Sequence, residues 1–197
     1  MQMQKRIPSY EKLSAIFNEI LSTEELDDVL NFFQPVDVKS GELYLDVGEI
    51  PKYFSFVASG LFRYYYITKE GEEFTKHFSI ENTFMVSISA FLQNRGSYFF
   101  IEALEDSTIL SADLKHLYSL SKTNMNIMNF MVKLFETLFI LKEKREADFL
   151  LKDARERYEE FLLDYPGLED RVMQYHIASY LGINPVSLSR IRKGLVS

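Results

Sequence analysis

Hydrophobic positions recur along this chain with two different periods, and the changes of period divide it. Over residues 9–33, Leu13, Ile16, Phe17 and Ile20 fall at helical spacing, and Leu26, Val29, Leu30 and Phe33 repeat it. Between the two sets, Ser22-Thr-Glu-Glu25 has the form of a capping box, so the pattern predicts two helices with Ser22 opening the second. The pattern changes near Pro35. Gly41, Gly48, Gly60 and Gly71 then separate β-branched and aromatic runs such as 53–57 and 61–67. Short apolar runs with regular turn signals predict a β-sandwich, jelly roll or barrel. Ser59-Gly60 and Glu70-Gly71 read as hairpin turns, and 98–103 with 108–112 as a further strand pair.

The helical period returns after Asp113, which is placed to cap a short helix over 114–120. A long helix is expected over 124–151. Ile127, Met131, Leu134, Leu138 and Leu141 alternate steps of four and three, the rhythm of a coiled-coil seam, and Phe130, Phe135 and Phe139 widen the stripe. A single buried helix of a monomer would also be apolar. The length of the span and its lack of Gly and Pro favour a helix shared by two copies. Asp153 then caps an amphipathic helix over 154–164 carrying Arg155, Tyr158, Phe161 and Leu162, which Pro166-Gly167 ends.

The last segment carries the most specific pattern. Gln174 opens it, and Ile177, Ala178 and Leu181 mark the buried face of a short helix. Gly182 stands where a helix C-terminus needs positive φ. Asn184 caps the next helix, Pro185 suits its first turn, and Leu188 and Ile191 bury it. Val186, Ser187, Ser189, Arg190 and Lys193 are left facing outward. This is helix, tight turn, helix with a polar and basic outer face, a shape that enters a DNA major groove. Arg190 suits a bidentate bond to guanine, Ser187 and Ser189 reach phosphates or bases, and Arg192 and Lys193 hold the backbone. An ordinary helical hairpin on a protein surface would share the bare pattern.

Composition and charge sharpen this picture. With 17 Phe and 12 Tyr the chain has ample core material, and with no Cys it has no disulfide, thiol redox centre or cysteine-ligated cluster. The first ten residues carry Lys5 and Arg6 without an apolar stretch after them, which is not a secretory leader. No apolar run approaches the length of a membrane span. A soluble, cytoplasmic protein is expected. The net charge of −7 argues against nucleic acid, but the distribution does not: residues 171–197 hold Arg171, Arg190, Arg192 and Lys193 and no carboxylate.

Residues 177–192, Ile-Ala-Ser-Tyr-Leu-Gly-Ile-Asn-Pro-Val-Ser-Leu-Ser-Arg-Ile-Arg, resemble the helix-turn-helix of the Crp/Fnr family of bacterial transcription factors, in a form close to its Bacteroidetes members. Leu-Ser-Thr-Glu-Glu-Leu at 21–26, the run 53–64 with Gly60 as its hairpin, 84–89 and 101–110 resemble the same family, so the likeness covers nearly the whole chain. It implies an α+β fold. An N-terminal β-roll (jelly roll) sensor domain with flanking helices would occupy 1–123. A long dimerisation helix would follow over 124–151, then a winged-helix-like helix-turn-helix domain over 152–197. Val186 stands where the family commonly has an acidic residue. A carboxylate there accepts from cytosine; valine touches a thymine methyl. Only four residues follow Lys193, so the usual wing is expected to be missing or vestigial.

The resemblance also implies an effector site in the roll. Glu81, Asn82, Thr83, Arg95 and Ser97 are its candidates, with Glu81 in the place of a ribose-binding acid. The arginine that holds a cyclic phosphate falls at Ser97 or Tyr98 here. Without that guanidinium the phosphate loses its main charge partner, so ordinary cyclic-AMP binding is not expected, and no cofactor is implied. His77 with Gly71 and Glu81 partly matches a cupin metal motif, but Ser79 replaces the second histidine, and His116 and His176 lie elsewhere. A metalloenzyme is the least favoured of three readings. The leading one is a homodimeric regulator with double-stranded DNA, RNA polymerase and a small-molecule effector as partners. The second is a ligand- or protein-binding module without DNA recognition.

Overall fold

The computed structural model describes residues 8–196; the segment with Lys5 and Arg6 lies outside the described residues. Helices α1 (Pro8–Asn18) and α2 (Thr23–Phe32) open the chain, and the expected capping box is present at the start of α2. The Glu25 amide donates to Ser22 Oγ at 3.4 Å, and the Ser22 amide donates to Glu25 Oε2 at 2.9 Å. Two four-stranded sheets follow. One has the order β1 (Gln34–Val38), β8 (Ser107–Asp113), β3 (Tyr53–Ser59), β6 (Phe84–Met85). The other runs β2 (Leu43–Leu45), β7 (Phe100–Ala103), β4 (Phe62–Ile67), β5 (Glu73–Ser79). This is the jelly-roll core expected from the sequence.

Two strand pairings differ from expectation. Ser59-Gly60 joins β3 of one sheet to β4 of the other, so it is a corner between sheets and not a hairpin. The same holds for β7 and β8, which the sequence paired. A corner and a hairpin need the same turn chemistry, here Gly60 at φ 101°. What separates them is distant: the Gly60 amide donates to Glu81 Oε1 at 3.0 Å, and the Leu104 amide to the Leu61 carbonyl at 2.8 Å. The Glu70-Gly71 turn does join neighbours in one sheet, β4 and β5, as expected.

Each face of β3 packs on a different layer, which explains its nearly unbroken apolar run. Val57 joins Phe62, Tyr64, Met85, Phe99, Ile101 and Ile109 in the roll interior. Phe54 and Phe56 join Phe84, Phe33, Phe17 and Phe130 in an aromatic cluster, with Phe54 stacked on Phe84 at 4.9 Å. A short helix α3 (Ile88–Leu92) follows β6, and Asp113 caps α4 (Leu114–Ser121) by accepting from the His116 amide at 2.6 Å. The long helix α5 spans Met125–Leu151, and Asn124 caps it through the Ile127 amide at 3.0 Å.

By contacts the chain forms two compact units. One comprises the chain to Tyr64 with Phe78–Leu134; the other comprises Tyr65–His77 with Phe135–Ser197. In the second unit Asp153 opens α6 (Ala154–Asp164) with a full capping box, a 3₁₀ turn spans Leu168–Asp170, and α7 (Gln174–Leu181) and α8 (Pro185–Val196) follow. Among the described residues no strand follows α6, and no helix is long and apolar enough to cross a membrane.

Candidate nucleic-acid interface and sensor interior

Helices α7 and α8 meet at Gly182, which has φ 68° and ends α7 in the left-handed conformation. Asn184 Oδ1 accepts from the Ser187 amide at 2.8 Å, so its side chain fixes the start of α8 as expected. Ile177, Ala178 and Leu181 on α7 and Leu188 on α8 are buried between the helices and the α6 aromatic cluster of Tyr158, Phe161 and Tyr165. The turn is braced from α5 and α6. Arg157 Nε donates to the Leu181 carbonyl at 3.1 Å and Nη1 to the Lys152 carbonyl at 2.6 Å. A side chain at position 182 would come within 2.7 Å of the Phe149 ring.

The candidate DNA-binding residues divide by position. Val186, Arg190 and Lys193 follow one another by four and three residues, share one face of α8 and are exposed. Val186 is 61% exposed on the face of α8 opposite buried Leu188. Gln174 is exposed at the start of α7, and Asn184 is exposed but engaged as a cap. Ser187 and Ser189 are half-buried on either side of Leu188. Arg192 lies one turn beyond buried Leu188, half-buried, and close enough to Tyr158 for its charge to act on that hydroxyl. Burial and the carboxylate of Glu169, to which it donates at 2.9 Å, raise the Tyr158 hydroxyl to about 12.

In the roll, Glu81 accepts from the Gly60 amide at the sheet corner, Asn82 holds a turn at φ 67°, and Thr83 Oγ1 donates to the Ile80 carbonyl at 2.7 Å. Ser97 is buried, its hydroxyl donating to the Phe99 carbonyl at 2.8 Å and lying 3.4 Å from Ser87 Oγ. Arg95 Nε donates to Gln93 Oε1 at 2.6 Å, and its guanidinium lies 3.6 Å over the exposed Tyr98 ring. Arg95 and Ser97 thus flank Gly96, which packs against the Gly48 backbone, while Glu81, Asn82 and Thr83 are held at the corner beside β3. The interior between the sheets is filled by Phe62, Tyr64, Phe99 and Tyr44, with a neutral hydroxyl chain from Tyr44 through Ser55 to Ser111 at 2.8 Å per link. The aromatic cluster itself contains no cation; in the same unit Arg63 on β4 is buried, as is Nη1 of Arg95.

The three histidines have separate surroundings. His77 is half-buried with Nδ1 3.0 Å from the Tyr165 hydroxyl, and desolvation, then Lys76 and Arg145, lower it to about 4. His116 meets Phe32 edge-on, and His176 is buried beside Tyr175. Among the described residues no group of three or more His, Asp or Glu is placed to hold a metal ion. Sequence reasoning missed Arg145, Arg157 and Ser179, which tie the helix-turn-helix to its support. Arginines on a helix read as solvated charge, and only the four-residue step from Arg145 to Phe149 hints otherwise.

The family described as cyclic nucleotide-binding domain matches residues 35–124. Comparison with curated proteins finds no match. FixK2 from Bradyrhizobium japonicum is 16% identical, with 83% of this chain and 84% of that one covered and a TM-score of 0.75. A CooA variant from Carboxydothermus hydrogenoformans is 23% identical, covering 87% and 82%, with a TM-score of 0.68. A transcriptional regulator of the Crp/Fnr family from Eubacterium rectale is 21% identical, covering 92% and 86%, with a TM-score of 0.70. Residues 35–124 are therefore similar to cyclic nucleotide-binding domains, in a chain that shares the fold of these solved structures.

Proposed function

We propose that this chain is a homodimeric, sequence-specific DNA-binding regulator of transcription whose affinity for DNA is set by an effector sensed in the roll. The observation that carries the reading is the outer face of α8, where Val186, Arg190 and Lys193 stand exposed on a helix braced by a capped tight turn. Residues 1–123 are read as sensor, 124–151 as dimerisation helix and 152–197 as DNA-binding domain. Two copies of α8 would enter successive major grooves about 34 Å apart. Arg190 and Val186 read bases, with Gln174, Ser187, Ser189, Arg192 and Lys193 on phosphates or flanking edges and Asn184 fixing the helix start. Ordinary cyclic-AMP binding is not expected, because Ser97 or Tyr98 stands where the resemblance places the phosphate-binding arginine. Glu81, Asn82, Thr83, Arg95 and Ser97 are the residues to vary in a ligand screen. RNA polymerase as a partner and the cytoplasm as location follow from this role.

The test is binding to a library of DNA fragments over a range of salt. Arg190→Ala is expected to lose sequence preference, and Arg192→Ala to weaken all sites alike. Equal loss on every sequence from both variants refutes the division of labour. A second reading, a ligand-binding module without DNA recognition, draws on the exposed Val186 in place of a polar reader. Ligand-induced thermal stabilisation with no binding to any fragment at low salt would favour it.

A further inference from the structure

The outer face of α8 has an unequal inventory of hydrogen-bonding groups. Arg190 and Lys193 are exposed on it, and each can only donate. Residues 171–197 contain no carboxylate. The amide side chain at the start of α8 is that of Asn184, and its Oδ1 already accepts from the Ser187 amide at 2.8 Å. Ser187 and Ser189 are half-buried, and a hydroxyl, which both donates and accepts, does not separate one base from another. Val186, at the second position of α8, is the apolar member of the face that it shares with Arg190 and Lys193.

A surface of donors and one branched apolar side chain selects by what it lacks. In the major groove adenine and cytosine present an amino group, and reading that group takes an acceptor. Guanine presents the acceptors O6 and N7, and thymine presents the acceptor O4 and a C5 methyl group. The face of α8 therefore complements the two keto bases. Val186 and Arg190 stand one turn apart, about 6 Å along the helix, which matches one or two steps of about 3.4 Å along a strand. A valine pressed on a methyl group loses no hydrogen bond to water, whereas the same valine pressed on an amino group would strip its water and return nothing. We propose that Val186 is a specificity residue that reads a C5 methyl group. Each half-site then carries a thymine one or two base pairs from the guanine of Arg190, and 5-methylcytosine is accepted at the thymine position where cytosine is not. The proposal rests on the DNA-binding reading above and names the bases that this reading selects.

The test uses the full chain to select a site from a random duplex library, then measures affinity at one salt concentration on chemically altered copies of that site. Each thymine of the half-site is replaced in turn by deoxyuridine, symmetrically in both halves, which removes two methyl groups and nothing else. At one position affinity is expected to fall about tenfold. At that position 5-methylcytosine should bind about tenfold more tightly than cytosine, since those two bases differ by the same methyl group. In Val186→Ala both methyl effects should shrink to about twofold or less, with the thermal midpoint unchanged because the side chain is exposed. Val186→Glu, which supplies an acceptor, should prefer unmethylated cytosine there, and a variant that still prefers thymine overturns the proposal. So does a selected site in which no thymine methyl matters. A methyl effect of full size in Val186→Ala also overturns it, and assigns the methyl group to another side chain or to the shape of the duplex. If no fragment is bound even at low salt, the proposed function itself fails; sequence-selective binding that ignores the methyl group fails this inference alone.

Discussion

Glu25 shows how much one side chain can gather. Its carboxylate accepts from the Ser22 amide and from the side-chain amides of Asn124 at 2.7 Å and Asn126 at 3.0 Å, joining the start of α2 to the start of α5. These bonds, the Ser22 amide first, lower it to about 2. A carboxyl depressed in the folded state binds its proton more readily when unfolded. Its contribution is therefore present above the ordinary carboxylate range and is lost as pH falls toward 2. The gap in Tm between the unaltered protein and Glu25→Gln is expected to shrink steadily from pH 5 to about pH 2. A gap that stays constant over that window would refute the assignment. Ser22 and Glu25 were legible in the sequence because a capping box is local. Asn124 and Asn126 were not, since they meet Glu25 only through the fold. Gly60 has the same character: its turn was legible, its reason was not. Ala at 60 would hold φ 101° against its preference and approach the Ser107 backbone to 2.7 Å. Gly60→Ala should lower the unfolding free energy, read from denaturant titration, by more than the ~1 kcal/mol of backbone strain alone.

At the scale of elements, the capped helices were legible almost to the residue, because caps and a 3.6-residue period are written locally; the five-residue helix Ile88–Leu92, whose N-cap Ser87 makes no side-chain cap bond, was not. Asp113, Asp153 and Asn184 each accept the amide bonds that their positions promised. Strand partners were not legible, because a glycine turn serves a hairpin and a sheet-to-sheet corner alike. Helix α5 lies between these cases. Its span is as expected, but the expected seam of Ile127, Met131, Leu134, Leu138 and Leu141 begins on the wrong side for a partner copy: Ile127 and Met131 are buried within the roll unit. The large apolar residues of α5 left exposed are Met125, Met128, Val132, Phe139, Ile140, Leu141, Phe149, Leu150 and Leu151, so the far end of the expected seam is exposed at Leu141. Met128, Val132, half-buried Phe135 and Phe139 step by four, three and four, a second seam offset by one position from the first. Leu151 is 81% exposed, and such a stripe along a rod of 27 residues fits a second copy of this helix. Phe139→Glu is expected to yield a monomer by sedimentation and to cost DNA affinity about a hundredfold or more, since two half-sites then bind separately. Leu138→Ala, on the half-buried side, should lower stability and leave the dimer intact. The reverse outcome would place the seam where the sequence alone put it.

The whole molecule opposes its own proposed ligand. All 29 carboxylates precede Arg171, and the chain as a whole carries −7, so DNA meets repulsion from everything except the last segment. Binding then depends on few cations, and the number is countable. In each copy Arg190 and Lys193 are exposed on α8, while Arg192 is half-buried beside Tyr158. With Arg190 on a base edge the phosphate contacts come from Lys193, Arg192 and Arg171, roughly two to six per dimer, so log K falls against log salt with a slope of about −2 to −5. A shallower slope than about −2 would mean that phosphates contribute little, and would point to the module without DNA recognition. Lys193→Ala removes two of these contacts per dimer and should reduce the slope by about 2 on every sequence. Arg190→Ala, if that guanidinium bonds a guanine edge, should leave the slope nearly unchanged and flatten the preference among sequences. The two slopes separate a residue that holds the duplex from one that reads it, and exposure alone makes no such distinction between neighbours on one helical face.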